Sequence, residues 1–248
     1  MSRTVGAEEM LPHQAHRRSH LLLAATAAVF AAAGCASAPS GPALEAPQFV
    51  VGDHWQYRVT DNLRRGITSQ LDAEVVAVTG HEASIHFEYV DANGRSEWVD
   101  EVDGSGGLRS GVLYRPPPRQ FNPPLQLLAF PIQRGKIWRQ ALDTFRKDLQ
   151  IGDQILIYGQ VGDSGSSTVP AGVYDTVYIY RLVQLDDSEF WRSRTTRRDF
   201  VWYAAALKAP AREQHDAEYI ETSSGPDLAV VRTESTVLDL VSFRPGAP

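Results

Sequence analysis

The 248-residue chain has one cysteine, Cys35, so no intramolecular disulfide is open to it, and its stability must come from a buried core rather than from cross-links. It has no apolar run of about 20 residues, the length a helix needs to span a bilayer. The run from Leu21 to Ala33 stops at thirteen. No window of 12 or more residues carries a convincing 3.6-residue period, which argues against a helical fold; Tyr203–Lys208 and Ala141–Leu149 allow at most a short helix. Basic residues are also few. From Cys35 onward there are 21 Lys and Arg against 28 Asp and Glu, a net charge of −7 that disfavours nucleic acid and anionic membrane surfaces as partners.

Catalytic and metal-binding patterns are missing too. A serine hydrolase needs a G-x-S-x-G elbow, and Gly104-Ser105-Gly106 and Gly165-Ser166 lack that form. His54, His81, His86 and His215 supply no i, i+4 pair on a helix, and on a strand His81 and His86 face opposite sides, so zinc is not expected. Asp100-Glu101-x-Asp103-Gly104 and Asp91-x-Asn93-Gly94 fall short of calcium-loop spacing, and hairpin turns select the same residues. No catalytic residue, metal or cofactor is assigned.

What the chain does have begins at its N-terminus. Arg17 and Arg18 precede the apolar run, and small residues Ala32, Ala33 and Gly34 lead into Cys35, the layout of a secretory signal. Glu8 and Glu9 are unusual before such a run, so translation starts at Met1 with a long charged region or at Met10. Ala33-Gly34-Cys35 resembles the lipobox of bacterial lipoproteins, in which cleavage follows the small residue and the cysteine is acylated. Ala32 departs from the usual Leu there, which keeps ordinary cleavage within Ala36-Ser37-Ala38 open as the rival. The resemblance implies residues 1–34 as signal, cleavage between Gly34 and Cys35, and a lipid anchor on Cys35; Ala36 in place of Asp implies the outer membrane, facing the periplasm.

Residues 36–47 are small, Pro-rich and aperiodic, so 35–48 reads as a flexible tether and 49–248 as one β-rich domain. From Phe49 the dominant period is two: Trp55–Val59, Leu71–Val75 and Ile85–Tyr89 alternate apolar with polar residues. Asn93-Gly94 predicts a hairpin between Ile85–Val90 and Ser96–Val102. Residues 103–128, with Pro116-Pro117-Pro118 and Pro123-Pro124, read as a long loop or edge segment. Further strands are expected at Ile137–Phe145, Gln154–Val161, Thr176–Leu185, Phe200–Tyr203, Ala217–Thr222, Leu228–Arg232 and Thr236–Phe243. The fold class is all-β and mainly antiparallel.

Three local patterns resemble an uncharacterised family of bacterial periplasmic and lipoprotein β domains: Phe130-Pro-Ile-Gln-Arg-Gly-Lys-Ile-Trp138, Thr168-Val-Pro-Ala-Gly-Val-Tyr-Asp175 and Phe200-Val-Trp-Tyr-Ala204. Tyr174 stands where the family has Phe, and Ala205-Ala206-Leu207 replaces a usual glycine. The resemblance implies a strongly curved antiparallel sheet, a half-barrel like that of the lipoprotein-localisation carriers, and no catalytic residues.

Two groups are the candidate binding residues. Arg192, Arg194, Arg197 and Arg198, beside Trp191, concentrate positive charge, and alternation would place Arg192 and Arg194 on one side of a strand. Tyr174, Tyr178, Tyr180, Trp202 and Tyr203 could line a concavity. The expected function is a non-enzymatic, membrane-anchored domain that binds an apolar, lipid-like ligand or an envelope protein. The alternative is an assembly subunit with no pocket. An open sheet interior would favour the ligand, a filled one docking.

Overall fold

The computed structural model describes residues 40–247, except 65, 115–116, 147–149, 187–191 and 222–229; Gly34, Cys35 and Trp191 therefore lie outside the described residues. The period-two pattern becomes fourteen strands: β1 Ser40–Leu44, β2 His54–Asp61, β3 Thr68–Thr79, β4 Glu82–Asp91, β5 Gly94–Val102, β6 Leu108–Gly111, β7 Arg119–Leu125, β8 Ile132–Arg134, β9 Ile137–Arg146, β10 Ile151–Val169, β11 Gly172–Leu185, β12 Arg192–Ala204, β13 Ala209–Glu221 and β14 Val230–Arg244. Among the described residues the one helical element is a 3-10 turn, Ala205–Leu207; of Ala141–Leu149, where a short helix was allowed, Ala141–Arg146 is strand and 147–149 lie outside the described residues.

All pairings are antiparallel, as the alternation predicts. The sheet goes further than a half-barrel: β9 pairs with both β7 and β10, which closes a ring in the order β10-β11-β12-β13-β14-β2-β3-β4-β5-β6-β7-β9. Closure removes the unpaired strand edges that an open sheet leaves. Bulges at Val75/Ala77, Val161/Ser164, Ser193/Thr196 and Leu240/Ser242 bend the long strands around the ring.

Three segments differ from the expectation. Within 103–128, β6 and β7 form real ladders, with Phe121 and Leu125 turned inward and buried. The β7–β9 ladder ends at Asn122, just before Pro123 and Pro124, which have no N–H to donate. Part of the expected tether is also structured: Ser40–Leu44 pairs with β8, and Gln133 Nε2 donates to the Gly41 carbonyl at 2.7 Å. Finally, the two strands expected at Leu228–Arg232 and Thr236–Phe243 are one over the described residues, β14 from Val230, whose polar middle pairs with β13.

Side chains fill the interior in three apolar clusters. One is built around Trp55, Val75, Ile85, Leu207 and Leu240; the second around Phe121, Leu125, Ile155, Ile157 and Val183; the third around Ile132, Val161, Ile179, Val201 and Tyr203. Gly159 faces Trp138 so closely that a Cβ there would stand 2.1 Å from the indole, whose Nε1 donates to the Gln126 carbonyl at 2.9 Å.

Candidate functional site

Strands β11 and β12 organise both faces of the wall. Inward positions alternate Ile179, Arg181, Val183 on β11 and Arg197, Asp199, Val201 on β12, so charged residues enter the interior in phase with apolar ones. They meet between the second and third clusters. Arg181 Nη2 lies 3.3 Å from Asp199 Oδ2 and 3.4 Å from Glu213 Oε2, and Arg197 Nε lies 3.4 Å from Asp199 Oδ1. His215 Nε2 lies 2.6 Å from Glu213. A second buried pair, Arg119 with Asp153 at 3.0 Å, stands beside the second cluster.

Burial by itself would raise the carboxyls in this layer. The guanidiniums outweigh it: Asp199 is held at about 2 by Arg197, His215 and Arg181, and Glu213 is lowered by Arg181 and His215. The layer is therefore ionised and internally paired, a structural use of charge that leaves the interior full. Sequence reading missed Arg181, Asp199, Glu213 and Tyr114; the available signal was charge at in-phase positions of otherwise apolar strands.

The arginine cluster does not share one side. A bulge between Ser193 and Thr196 puts Arg194 at φ 54° and breaks the alternation. Arg192 turns inward, with its guanidinium 4.1 Å from the Tyr219 ring and its Nε donating to Thr195 Oγ1 at 2.9 Å. Arg194 and Arg198 remain exposed, and Arg198 makes a loose 3.9 Å pair with Glu218.

The aromatic group divides as well. Tyr203 is 2 % exposed and belongs to the third cluster, against Phe130. Tyr174 packs on the first cluster and donates to the Ala171 carbonyl at 3.2 Å. Tyr178, Tyr180 and Trp202 lie on the outer surface, where Tyr178 meets Trp202 edge-on at 5.6 Å and Tyr180 meets Phe200 at 5.8 Å. Arg212 sits 5.7 Å from the Trp202 ring and Arg139 5.5 Å from Tyr158. The five residues form no shared concavity.

The opposite wall is polar. On β2–β4 a surface depression of about 240 Å³ is lined by His54, Asp72, Glu74, His86 and Glu88. Register places Asp72 opposite Glu88 and Glu88 opposite Glu97, a row of carboxylates in which Glu88 pairs with Arg95 at 2.5 Å, while His54 Nε2 lies 3.4 Å from Asp72 and His86 Nε2 3.6 Å from Glu97. In the turns, Asp103 Oδ1 accepts from the amides of Ser105 and Gly107, and Asp91 Oδ1 accepts from Asn93, so these carboxylates serve hairpin geometry.

No family model and no curated protein matches the chain. Among solved structures it is similar to a provisionally named lipoprotein from Parabacteroides distasonis at 12% identity and TM-score 0.48, covering 83% of this chain and 100% of that one. It is also similar to a provisionally named exported protein with YmcC-like fold from Bacteroides fragilis, at 11% identity and TM-score 0.44, covering 82% and 100%. The hypothetical lipoprotein YmcC from Escherichia coli shows 6% identity and TM-score 0.38, covering 78% and 85%.

Proposed function

We propose that the chain is exported, acylated at Cys35 and held on the periplasmic side of the outer membrane, where it acts as a non-enzymatic docking subunit of the envelope rather than as a carrier of a lipid-like ligand. The observation that supports docking over carriage is the filled barrel. Val75, Ile155, Ile179, Val183, Val201 and Leu240 are all 0 % exposed, and the charged layer between clusters is paired from within. A carrier of an apolar molecule needs a concave apolar cavity of several hundred Å³. Here the aromatics expected to line one stand outside or in the core.

Native mass spectrometry of the chain beginning at Ala36, purified from the periplasm before and after organic extraction, tests this. The expected result is one unchanged protein mass. A small mass lost on extraction would overturn docking and restore the carrier.

A further inference from the structure

The chain carries net negative charge, yet its outer surface is divided. On the outward positions of Gln154–Gln160, Tyr178–Gln184 and Thr196–Trp202 there is no carboxylate and one guanidinium, Arg198; Tyr158, Tyr178, Tyr180, Phe200 and Trp202 dominate. The row Asp72, Glu88, Glu97 lies on β3–β5. In the ring of twelve, β11 and β4 are six strands apart, so the aromatic flank and the acidic wall are diametrically opposed. At about 4.8 Å per strand the two are separated by roughly 20 Å, well beyond a Debye length of about 8 Å.

The start of the described chain lies beside the aromatic flank. Ser40 pairs with Arg134, Arg134 Nε lies 2.6 Å from Asp163 Oδ1, and the Tyr178 ring covers the neighbouring Gly162, where a Cβ would stand 2.9 Å from it. Tyr178 in turn touches Trp202. Four residues, 36–39, lie between Cys35 and Ser40, so the chain reaches at most about 17 Å from one to the other.

We infer that the aromatic flank over β10–β12 rests on the bilayer that holds the Cys35 acyl chains, with the acidic β2–β5 wall turned to the aqueous side. This rests on acylation of Cys35. Tyrosine and tryptophan favour the headgroup boundary, where the ring is apolar and the polar atom stays wet, and the arginines over Tyr158 and Trp202 suit lipid phosphates. The net charge that argues against an anionic surface is thereby held away from it. The acidic wall, half-buried at Asp72 and Glu88 and exposed at Glu97, is left for the docking partner.

The test uses the full acylated protein in phosphatidylethanolamine–phosphatidylglycerol vesicles. Acylation consumes the chain's one thiol, so Tyr180→Cys or Glu88→Cys can each be labelled uniquely with a polarity-sensitive dye. On adding vesicles, a blue shift at position 180 with none at 88 is expected. A water-like dye at 180 on vesicle-bound protein overturns the orientation while leaving the anchor intact. An intact mass without acyl chains overturns the anchor and the orientation with it. A dye at 180 already blue-shifted without vesicles, with a concentration-dependent dimer mass, makes the flank a contact between copies and also overturns the proposal. Should Tyr180→Cys fail to fold, quenching of Trp202 by brominated-chain lipids, taken as wild type against Trp202→Phe, gives the same decision: quenching supports, none overturns.

Discussion

The hydroxyl of Tyr114 donates to Asp199 Oδ2 across 2.8 Å, and the Arg197 guanidinium lies 3.1 Å from the centre of the same ring. A residue from the β6–β7 connection is thus fastened inside the β12 wall, at φ 73°, a left-handed conformation that a non-glycine adopts at some strain. The contact ties the Pro-rich segment to the ionic layer.

Removing Asp199 should be far costlier than removing the Tyr114 hydroxyl. Asp199→Ala leaves Arg197 buried without its carboxylate, for an expected loss of about 3–5 kcal/mol. Tyr114→Phe deletes one hydrogen bond to a charged group, for about 1.5–3 kcal/mol. Denaturant midpoints of the two variants check the order; equal losses would mean the layer is not governed by Asp199.

Stability should respond to pH with two opposite signs. Asp199, at about 2, and Glu213, lowered, sit below their unfolded values near 4, so their contribution is present above pH 4–5 and lost as pH falls toward 2. Asp100 is pushed up to about 7 by burial, against the pull of the Val112 amide. Its folded form holds a proton the unfolded form gives up, so its contribution is full below pH 4 and lost as pH rises to 7. Asp100→Asn should therefore gain stability at pH 7 relative to wild type and not at pH 4, as read from melting curves.

Gly159→Ala should destabilise by about 1–3 kcal/mol or more, because the added methyl meets the Trp138 ring. Gly165→Ala, with nothing within 4 Å of the new Cβ, should stay within about 0.5 kcal/mol. Thermal unfolding of the pair checks whether close packing alone selects the first glycine.

The arginine cluster should split by face. Arg194→Glu with Arg198→Glu should leave the thermal transition near wild type, since both side chains are exposed. Arg192→Glu should lower it clearly, because that side chain is buried against Tyr219 and Thr195.

Cys35→Ala should move the protein from the membrane fraction to the soluble periplasm. Retention on membranes after a salt wash would dismiss the lipid anchor.

The hairpin at Asn93-Gly94 and the strands around Trp55, Ile85 and Ile179 were legible because turn chemistry and a period of two are local properties of the chain. The strands hidden at Leu108–Gly111 and Arg119–Leu125 were not, since proline and glycine counts mask short ladders whose partners lie far along the chain. The arginine pattern failed at one residue: a bulge at Arg194 reverses every later side chain, and nothing local announces it.

The sequence by itself determined an all-β antiparallel wall, a core without cross-links and, between bulges, the composition of each strand face. Closure of the ring, and therefore which face became interior, was decided by β9 finding both β7 and β10. That choice sent Arg181, Arg197 and Asp199 inside and Tyr178, Tyr180 and Trp202 outside. The physical reason is that alternation specifies two faces of a strand but not which of them water reaches; only pairing between distant strands settles that.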